Sequence, residues 1–369
     1  MVYIDNSATS RKKPLSVALT AAKEILFSAN AGRAGHKAGM KTAKKIEKTR
    51  EILRKIFFDG NVVFTKNCTE ALNLGINGIK PSGQVITTVY DHNSVLRTLK
   101  KLELDGKIKL KIISPDENGS FETALKNALK VKTSLVAVTG RSNVNGKKTN
   151  FSRLAEITKR YSDAIFLLDA AQTAGHDESD YENVDLIASS GHKGLLGPQG
   201  TGFLVIRKNI KLFPLIVGGT GTSSNKLEIP FEIPEGMEAG TLNAAGIIAL
   251  GKGAAYASKR ADIINKKTDR LAKIFLDGIK NERNVEIYPC DGGIVLCNVK
   301  GKDSSYLADE LSEKYSICVR GGLHCAPLMH KFLGTDGRGA VRFSFGNNNN
   351  VFHVLKAIYA VRKIAREKR

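Results

Sequence analysis

The stretch "VDLIASSGHKGLLGPQGTGFLVIRK", residues 184–208, decides the fold. Two apolar, β-branched runs, "VDLIAS" and "GFLVIRK", enclose a glycine-rich turn in which Lys193 follows His192. A solvated surface lysine needs no glycines around it. A lysine at a strand end that must reach into a crowded site does. Working outward, similar short runs recur: "NVVFT" (61–65), "QVITTV" (84–89), "KLKIIS" (109–114), "SLVAVT" (134–139) and "AIFLLD" (164–169). Helical stretches such as "TEALNLGINGI", "NSVLRTLKKLEL" and "ETALKNALKV" separate most of them. Continuous apolar strands alternating with helices predict an α/β fold with a mostly parallel, seven-stranded sheet covered on both faces. Beyond "FEIPEGMEAGTLNAAGIIAL" the texture changes. The strand-like runs "VEIYP", "GGIVLCNV", "ICVRG" and "GAVRFSFG" mix with helices, which predicts a smaller α+β C-terminal domain.

The bulk numbers narrow the class. A chain of 369 residues exceeds one small core, which favours a large domain with a satellite. There is no apolar run long enough for a membrane span and no signal-peptide core, so a cytoplasmic protein without membrane partners is expected. Five cysteines without a CxxC pair indicate neither a disulfide framework nor a zinc ribbon. The net charge of +21 raises a polyanionic partner, yet the lysines are spread along helix-like stretches without a basic block, and there is no tryptophan. Nucleic-acid binding is therefore not the expected role.

In an open parallel sheet, ligands sit beyond the carboxyl ends of the strands. Read in that way, the strand ends deliver Thr69 at the start of "TEALN", His92 in "YDHNS", Asn143 in "GRSNVNG", Asp169 followed by Gln172, and Ser190, His192 and Lys193. Each alone has a structural reading: a capping aspartate, a satisfied histidine, a turn lysine. Together they share one rim and suit one cofactor. A phosphate rests on free N–H groups at a helix start, an aspartate holds a pyridinium nitrogen protonated, and a lysine forms a Schiff base. That cofactor is pyridoxal 5'-phosphate. The glycines beside Lys193 are expected to let its amine approach a flat ring. Nucleotide motifs fit less well: "GGTGTSS" lacks a final glycine, and "GHKGLLGPQG" is not a P-loop.

The motifs "YIDNSATSRKKP", "NAGRAGH", "FTKNCTEALN", "DHNSV", "SNVNG", "LLDAAQTAGH", "SSGHKGLLGPQGTG", "EAGTLN", "VRGGLHCAPLMH" and "GAVRFSFG" occur in this order along nearly the whole chain. In them the sequence resembles the class V, fold-type I pyridoxal-phosphate enzymes, in the cysteine desulfurase and selenocysteine lyase branch. The resemblance implies that Lys193 is the Schiff-base lysine, that His92 stacks on the ring and that Asp169 pairs with its nitrogen. It implies Gln172 at the phenolic oxygen, and Thr69, Ser190 and His192 at the phosphate. Thr241 would reach the phosphate of a neighbouring subunit, hence a homodimer. Asn143 would lie near substrate and ring, and Arg342, with Arg320, would take the substrate carboxylate. Cys68 stands where relatives often carry a small residue or threonine. It reads as a packing residue that lends a backbone N–H. The corresponding division is an N-terminal segment, 1–20, packing with the small domain, a cofactor-binding domain at 21–245, and a small domain at 246–369.

The stretch "CVRGGLHCAPLMH" holds Cys318, Arg320, His324, Cys325 and His330. Its spacing fits no common zinc pattern, and a free cysteine is most often an inert small hydrophobe. Cys318, in an apolar run, reads as buried. Cys325 follows a histidine in a glycine-rich loop with Arg320 nearby, a setting that suits a reactive thiol. The resemblance implies that Cys325 attacks the sulfur of L-cysteine, giving L-alanine and a persulfide on Cys325 for a thiol or protein acceptor. It also implies a compact, ordered catalytic loop. Two alternatives stay open: a selenocysteine lyase acting on L-selenocysteine, and a class V aminotransferase in which Cys325 is a bystander.

Overall fold

The computed structural model describes residues 1–32, 35–176, 180–222 and 225–367. Arg33 and Ala34 of the "NAGRAGH" motif, and the last two residues of the expected small domain, lie outside them. The chain opens with β1 (Val2–Tyr3), α1 (Leu15–Phe27) and α2 (Lys37–Ile56). There follow β2 (Asn61–Thr65), α3 (Cys68–Gly78), β3 (Gly83–Thr88), α4 (Asn93–Leu104), β4 (Ile108–Ile113), α5 (Glu122–Ala128), β5 (Thr133–Thr139), α6 (Phe151–Tyr161), β6 (Ile165–Asp169), β7 (Leu186–Ser190) and β8 (Gly202–Ile206). The remainder comprises α7 (Ala244–Ser258), α8 (Ala261–Ile279), β9 (Val285–Ile287), β10 (Ile294–Val299), α9 (Ser304–Tyr315), β11 (Ile317–Cys318), α10 (Pro327–Phe332), β12 (Val341–Ser344) and α11 (Val351–Arg366).

The large sheet has seven strands in the order β2-β8-β7-β6-β5-β3-β4, at the places where the apolar runs predict them. Strands β3 to β7 are mutually parallel, and β8 alone runs against both of its neighbours. Strand β2 therefore points the same way as the parallel set, and its end shares their rim. Alternation of side chains divides the core into two. On one face Leu167, Leu186 and Leu204 pack with Leu72 of α3 and Leu99 of α4. On the other, Phe166, Ile187 and Val205 pack with Leu154 of α6 and Leu250 of α7. Burial of both faces explains the nearly unbroken apolar runs.

A second sheet, β12-β10-β9, is antiparallel and rests on α8 and α11, with Phe275 and Phe343 4.5 Å apart between ring centres. The run "ICVRG" touches it only through a single antiparallel bridge between Arg320 and Arg342 of β12. Its first residues form β11, which pairs in parallel with β1 at the chain start, Val2 against Ile317. Helix α7 buries Ile247, Leu250 and Ala254 in the core of the large sheet. We propose that the division between domains falls between α7 and α8, because apolar continuity runs through α7 and not only to residue 245. Among the described residues no helix is long and apolar enough to cross a membrane.

Candidate active site

The rim of the large sheet gathers a cavity. Cys68, Thr69, His92, Asn143, Asp169, Gln172, Ser190, His192 and Lys193 all line it. Each owes its place to a strand end. Strand β2 feeds α3, whose N-cap Asn67 accepts the Glu70 N–H through its side chain at 2.9 Å. The cap leaves the first N–H groups, those of Cys68 and Thr69, outside the helical ladder and available to an anion. After β3, His92 caps α4. Its Nδ1 accepts the Ser94 N–H at 3.1 Å, which puts the ring proton on Nε2. Burial, reinforced by the charges of Lys193 and Arg320, pulls the His92 pKa down to about 4, so the ring is neutral.

Asp169 ends β6 and is 3% exposed. Burial raises its pKa, while the Ala171 N–H and the Lys193 charge oppose that rise. Its Oδ1 accepts from Ala171 at 2.9 Å and lies 3.6 Å from Cys68 Sγ. Both contacts fall on one oxygen and leave Oδ2 for a ligand. The Cys68 thiol is pushed well up by burial and by Asp169, so it stays protonated and is no nucleophile. Lys193 follows β7, and burial lowers its pKa, which raises the share of neutral amine. His192 is also held neutral, its pKa brought to about 4 by burial and by Lys193.

The glycines around Lys193 have a packing role that the sequence does not show. A Cβ on Gly194 would stand 2.2 Å from the Ala174 carbonyl oxygen, and one on Gly191 2.2 Å from Thr201 Oγ1. They let the lysine turn wedge between the segment after β6 and the start of β8. Packing against protein by itself demands glycine at both positions.

Among the described residues, three buried polar atoms around this cavity have no hydrogen-bond partner: Ser190 Oγ, His192 Nδ1 and Asn143 Oδ1. Natural proteins rarely leave such groups bare, so they mark where a polar ligand fits. Asn143 also ties the site together. Its Nδ2 donates to the His324 carbonyl at 2.8 Å, and its own carbonyl accepts from Arg342 at 2.7 Å. Gln172 turns its Nε2 to the Ser7 carbonyl, 3.0 Å away.

The other expected residues lie around this cavity. Cys325, with Thr69, His92 and Ser94, lines an adjoining surface cavity of about 650 Å³ that also bears Arg97 and Lys101. The Cys325 Sγ lies 3.5 Å from the Arg320 guanidinium. Arg342 is 1% exposed and already engaged, with Nη2 2.6 Å from Asp5 Oδ1 and Nη1 on Asn143; its Nε is buried without a partner. Thr241 is exposed in a separate groove of about 680 Å³ beside the buried Arg50–Glu238 pair. Within one chain it does not join the other residues. Sequence reasoning missed the N-terminal clamp. Ser10 Oγ donates to the Lys193 carbonyl at 2.8 Å and Lys13 Nζ to the His192 carbonyl at 2.6 Å. Only the tertiary fold brings these residues to the lysine turn.

The sequence pattern of the family described as Aminotransferase class-V matches residues 2–355. A probable cysteine desulfurase of Pyrococcus abyssi is 34% identical, over 96% of this chain and 92% of its own length. One of Methanothermobacter thermautotrophicus is 31% identical, over 93% and 89%. The apo structure of a cysteine desulfurase from Thermococcus onnurineus NA1 superposes with a TM-score of 0.90 at 32% identity, covering 99% of this chain and 94% of that one. With a rim of lysine, aspartate and two neutral histidines on a seven-stranded α/β sheet, and a family pattern that runs through all of it, this chain belongs to the class-V aminotransferases.

Proposed function

We propose that the protein is a pyridoxal-phosphate-dependent cysteine desulfurase that converts L-cysteine to L-alanine and holds the sulfur as a persulfide on Cys325. The observation that carries this reading is a cysteine in the cavity that adjoins the lysine–aspartate one and shares Thr69, His92 and Ser94 with it, with a guanidinium 3.5 Å from the cysteine sulfur. The names of the similar proteins support it.

The residues fit the cofactor. Lys193 would hold its aldehyde carbon, Asp169 its ring nitrogen and His92 one face of the ring, with Gln172 near the phenolic oxygen. The N–H groups of Cys68 and Thr69, with Ser190 and His192, suit a phosphate. Thr241 is assigned to the phosphate of a second copy in a homodimer, consistent with its exposure and with the outward apolar side chains Leu15, Leu19, Leu26 and Phe27 of α1. When bound, the group supplies an electron-accepting ring that makes the α-proton of an amino acid acidic.

The rest is done by this chain. Arg320 and the spare Nε of Arg342 receive the substrate carboxylate. Lys193 Nζ, with its lowered pKa, takes the α-proton. Cys325 Sγ attacks the substrate sulfur. The new bond is Sγ–S, the broken bond is Cβ–S, and its electron pair stays on Cβ, which takes up the proton that Cys325 gave up and becomes the methyl group of alanine, while Lys193 Nζ returns a proton to Cα. The persulfide then passes to a thiol or an acceptor protein. Neutral His92, its proton on Nε2, faces this step without adding charge.

The test is product analysis with L-cysteine and L-selenocysteine in parallel, with a thiol present. Alanine and sulfide in equal amounts from cysteine are expected. A keto acid with no sulfur released would establish an aminotransferase, and turnover of selenocysteine alone a lyase for that substrate.

A further inference from the structure

Two buried histidines take no part in the chemistry above. His324 is 2% exposed and His330 is fully buried. They form a chain. His324 Nε2 lies 3.0 Å from the Arg320 carbonyl, His324 Nδ1 3.0 Å from His330 Nε2, and His330 Nδ1 2.8 Å from Thr335 Oγ1. Its direction is forced. A carbonyl only accepts, so His324 carries its proton on Nε2. A neutral imidazole has one N–H, so His324 Nδ1 must accept and His330 must donate from Nε2. His330 Nδ1, 2.8 Å away, then accepts the Thr335 hydroxyl in preference to the His330 carbonyl oxygen at 3.3 Å. Burial keeps both rings neutral: the His330 pKa falls to about 4, and that of His324 falls well below its ordinary value.

The chain ends where the reacting sulfur is held. His324 and Cys325 are consecutive non-glycine residues with positive φ, +50° and +57°. Such a pair is strained and persists only if the surroundings impose it. The backbone is pinned at two carbonyls, His324 by Asn143 Nδ2 at 2.8 Å and Cys325 by the Asn93 N–H at 2.7 Å. The same Arg320 carbonyl that receives His324 also accepts the Arg342 N–H at 2.8 Å. The loop is thereby fastened to β12, and the Arg320 side chain is aimed at Cys325.

We propose that His330 and His324 are positioning residues for sulfur transfer: a hydrogen-bond chain of fixed polarity, Thr335–His330–His324–Arg320, that holds the left-handed turn presenting Cys325 Sγ to substrate. The inference rests on the desulfurase reading for its kinetic consequence, and on the ring geometry together with the neutrality of the buried rings for its polarity. Removing the His330 donor leaves His324 Nδ1 buried and unpaired and frees the ring to turn. The turn then relaxes and the sulfur shifts. A shift of about 1 Å in a reacting atom costs up to roughly a hundredfold in rate.

The experiment compares His330→Leu with His330→Gln, whose amide N–H can replace Nε2 as donor, in the cofactor-loaded enzyme. In the leucine variant, single-turnover persulfide formation on Cys325 should fall about 10- to 100-fold. Exchange of the α-proton of L-alanine, which needs Lys193 and not Cys325, should stay at the parental rate. The glutamine variant should recover most of the loss. Parental persulfide formation in the leucine variant, or a glutamine variant as slow as leucine, overturns the proposal. If the leucine variant does not fold, imidazole nitrogen chemical shifts of the parent protein decide. Unprotonated Nδ1 on both histidines supports the chain, and a protonated Nδ1 on either one refutes it. That measurement needs no turnover, so it separates failure of the chain from failure of the desulfurase reading, which a parent enzyme forming no persulfide would show.

Discussion

Lys193 and the two histidines near it owe their protonation to the same cause. Burial disfavours charge on all three, so the lysine shifts toward the free amine and the imidazoles stay neutral. If Lys193 holds the cofactor, borohydride should fix it on the peptide containing that residue. Lys193→Ala should carry none, and label on another lysine would sink the assignment. His92 gives a pH test with a definite sign. Its folded pKa of about 4 lies below the ordinary 6.5, so between these values the unfolded chain binds more protons. The stability contributed by this group is complete above pH 6.5 and lost as pH falls toward 4. Its ring resonances should therefore be flat from pH 5.5 to pH 8, values set about one unit or more from the folded midpoint. A midpoint near 6.5 would mean that the ring is solvated. Cys325→Ser keeps the size but removes the soft nucleophile. Sulfide release from L-cysteine should drop by more than about a hundredfold, as loss of a nucleophile does elsewhere, while cofactor binding persists. Unchanged release would leave Cys325 a bystander and favour the aminotransferase reading.

At the scale of elements, the site depends on turns that fit only in one way. The lysine turn between β7 and β8 passes so close to its neighbours that Gly194 has no room for a Cβ. Gly194→Ala should cost about 1–3 kcal/mol, as overpacking of a tight interior does, and lower cofactor content per chain with it. A variant with parental melting temperature and full cofactor content would show that the turn yields freely. The cysteine turn between β11 and α10 is the second such element. There the strain is in backbone dihedrals, and side-chain hydrogen bonds hold it.

Across the whole molecule, the first thirteen residues act as a strap. Strand β1 pairs with β11, Asp5 reaches Arg342 on β12, Ser7 receives Gln172, and Ser10 and Lys13 hold the carbonyls of the lysine turn. The strap links both sheets across the site. Asp5→Ala would leave the Arg342 guanidinium, 1% exposed, without its carboxylate. Breaking such a buried pair from one side costs about 3–5 kcal/mol, so the denaturant midpoint should fall clearly. A midpoint unchanged from the parent would mean that Arg342 finds another partner.

The local code of the chain determined the sheet, because strands buried on both faces must be apolar throughout, and that pattern survives in any single run such as "FLVI". It also determined which residues reach the rim, because a parallel sheet sends every strand end to one edge. Thr69, His92, Asn143, Asp169, Gln172, Ser190, His192 and Lys193 were legible for that reason. The tertiary structure alone decided the strap, the pairing of β1 with β11 and the engagement of Arg342 by Asp5, since these join residues from 165 to 337 positions apart and leave no periodic trace. It also decided why Gly191 and Gly194 are glycines, because a close approach depends on the neighbour as much as on the residue. The polarity of the His324–His330 chain belongs to the same class: two histidines six residues apart suggest a metal or nothing, until their ring nitrogens are seen 3.0 Å apart with a carbonyl at one end.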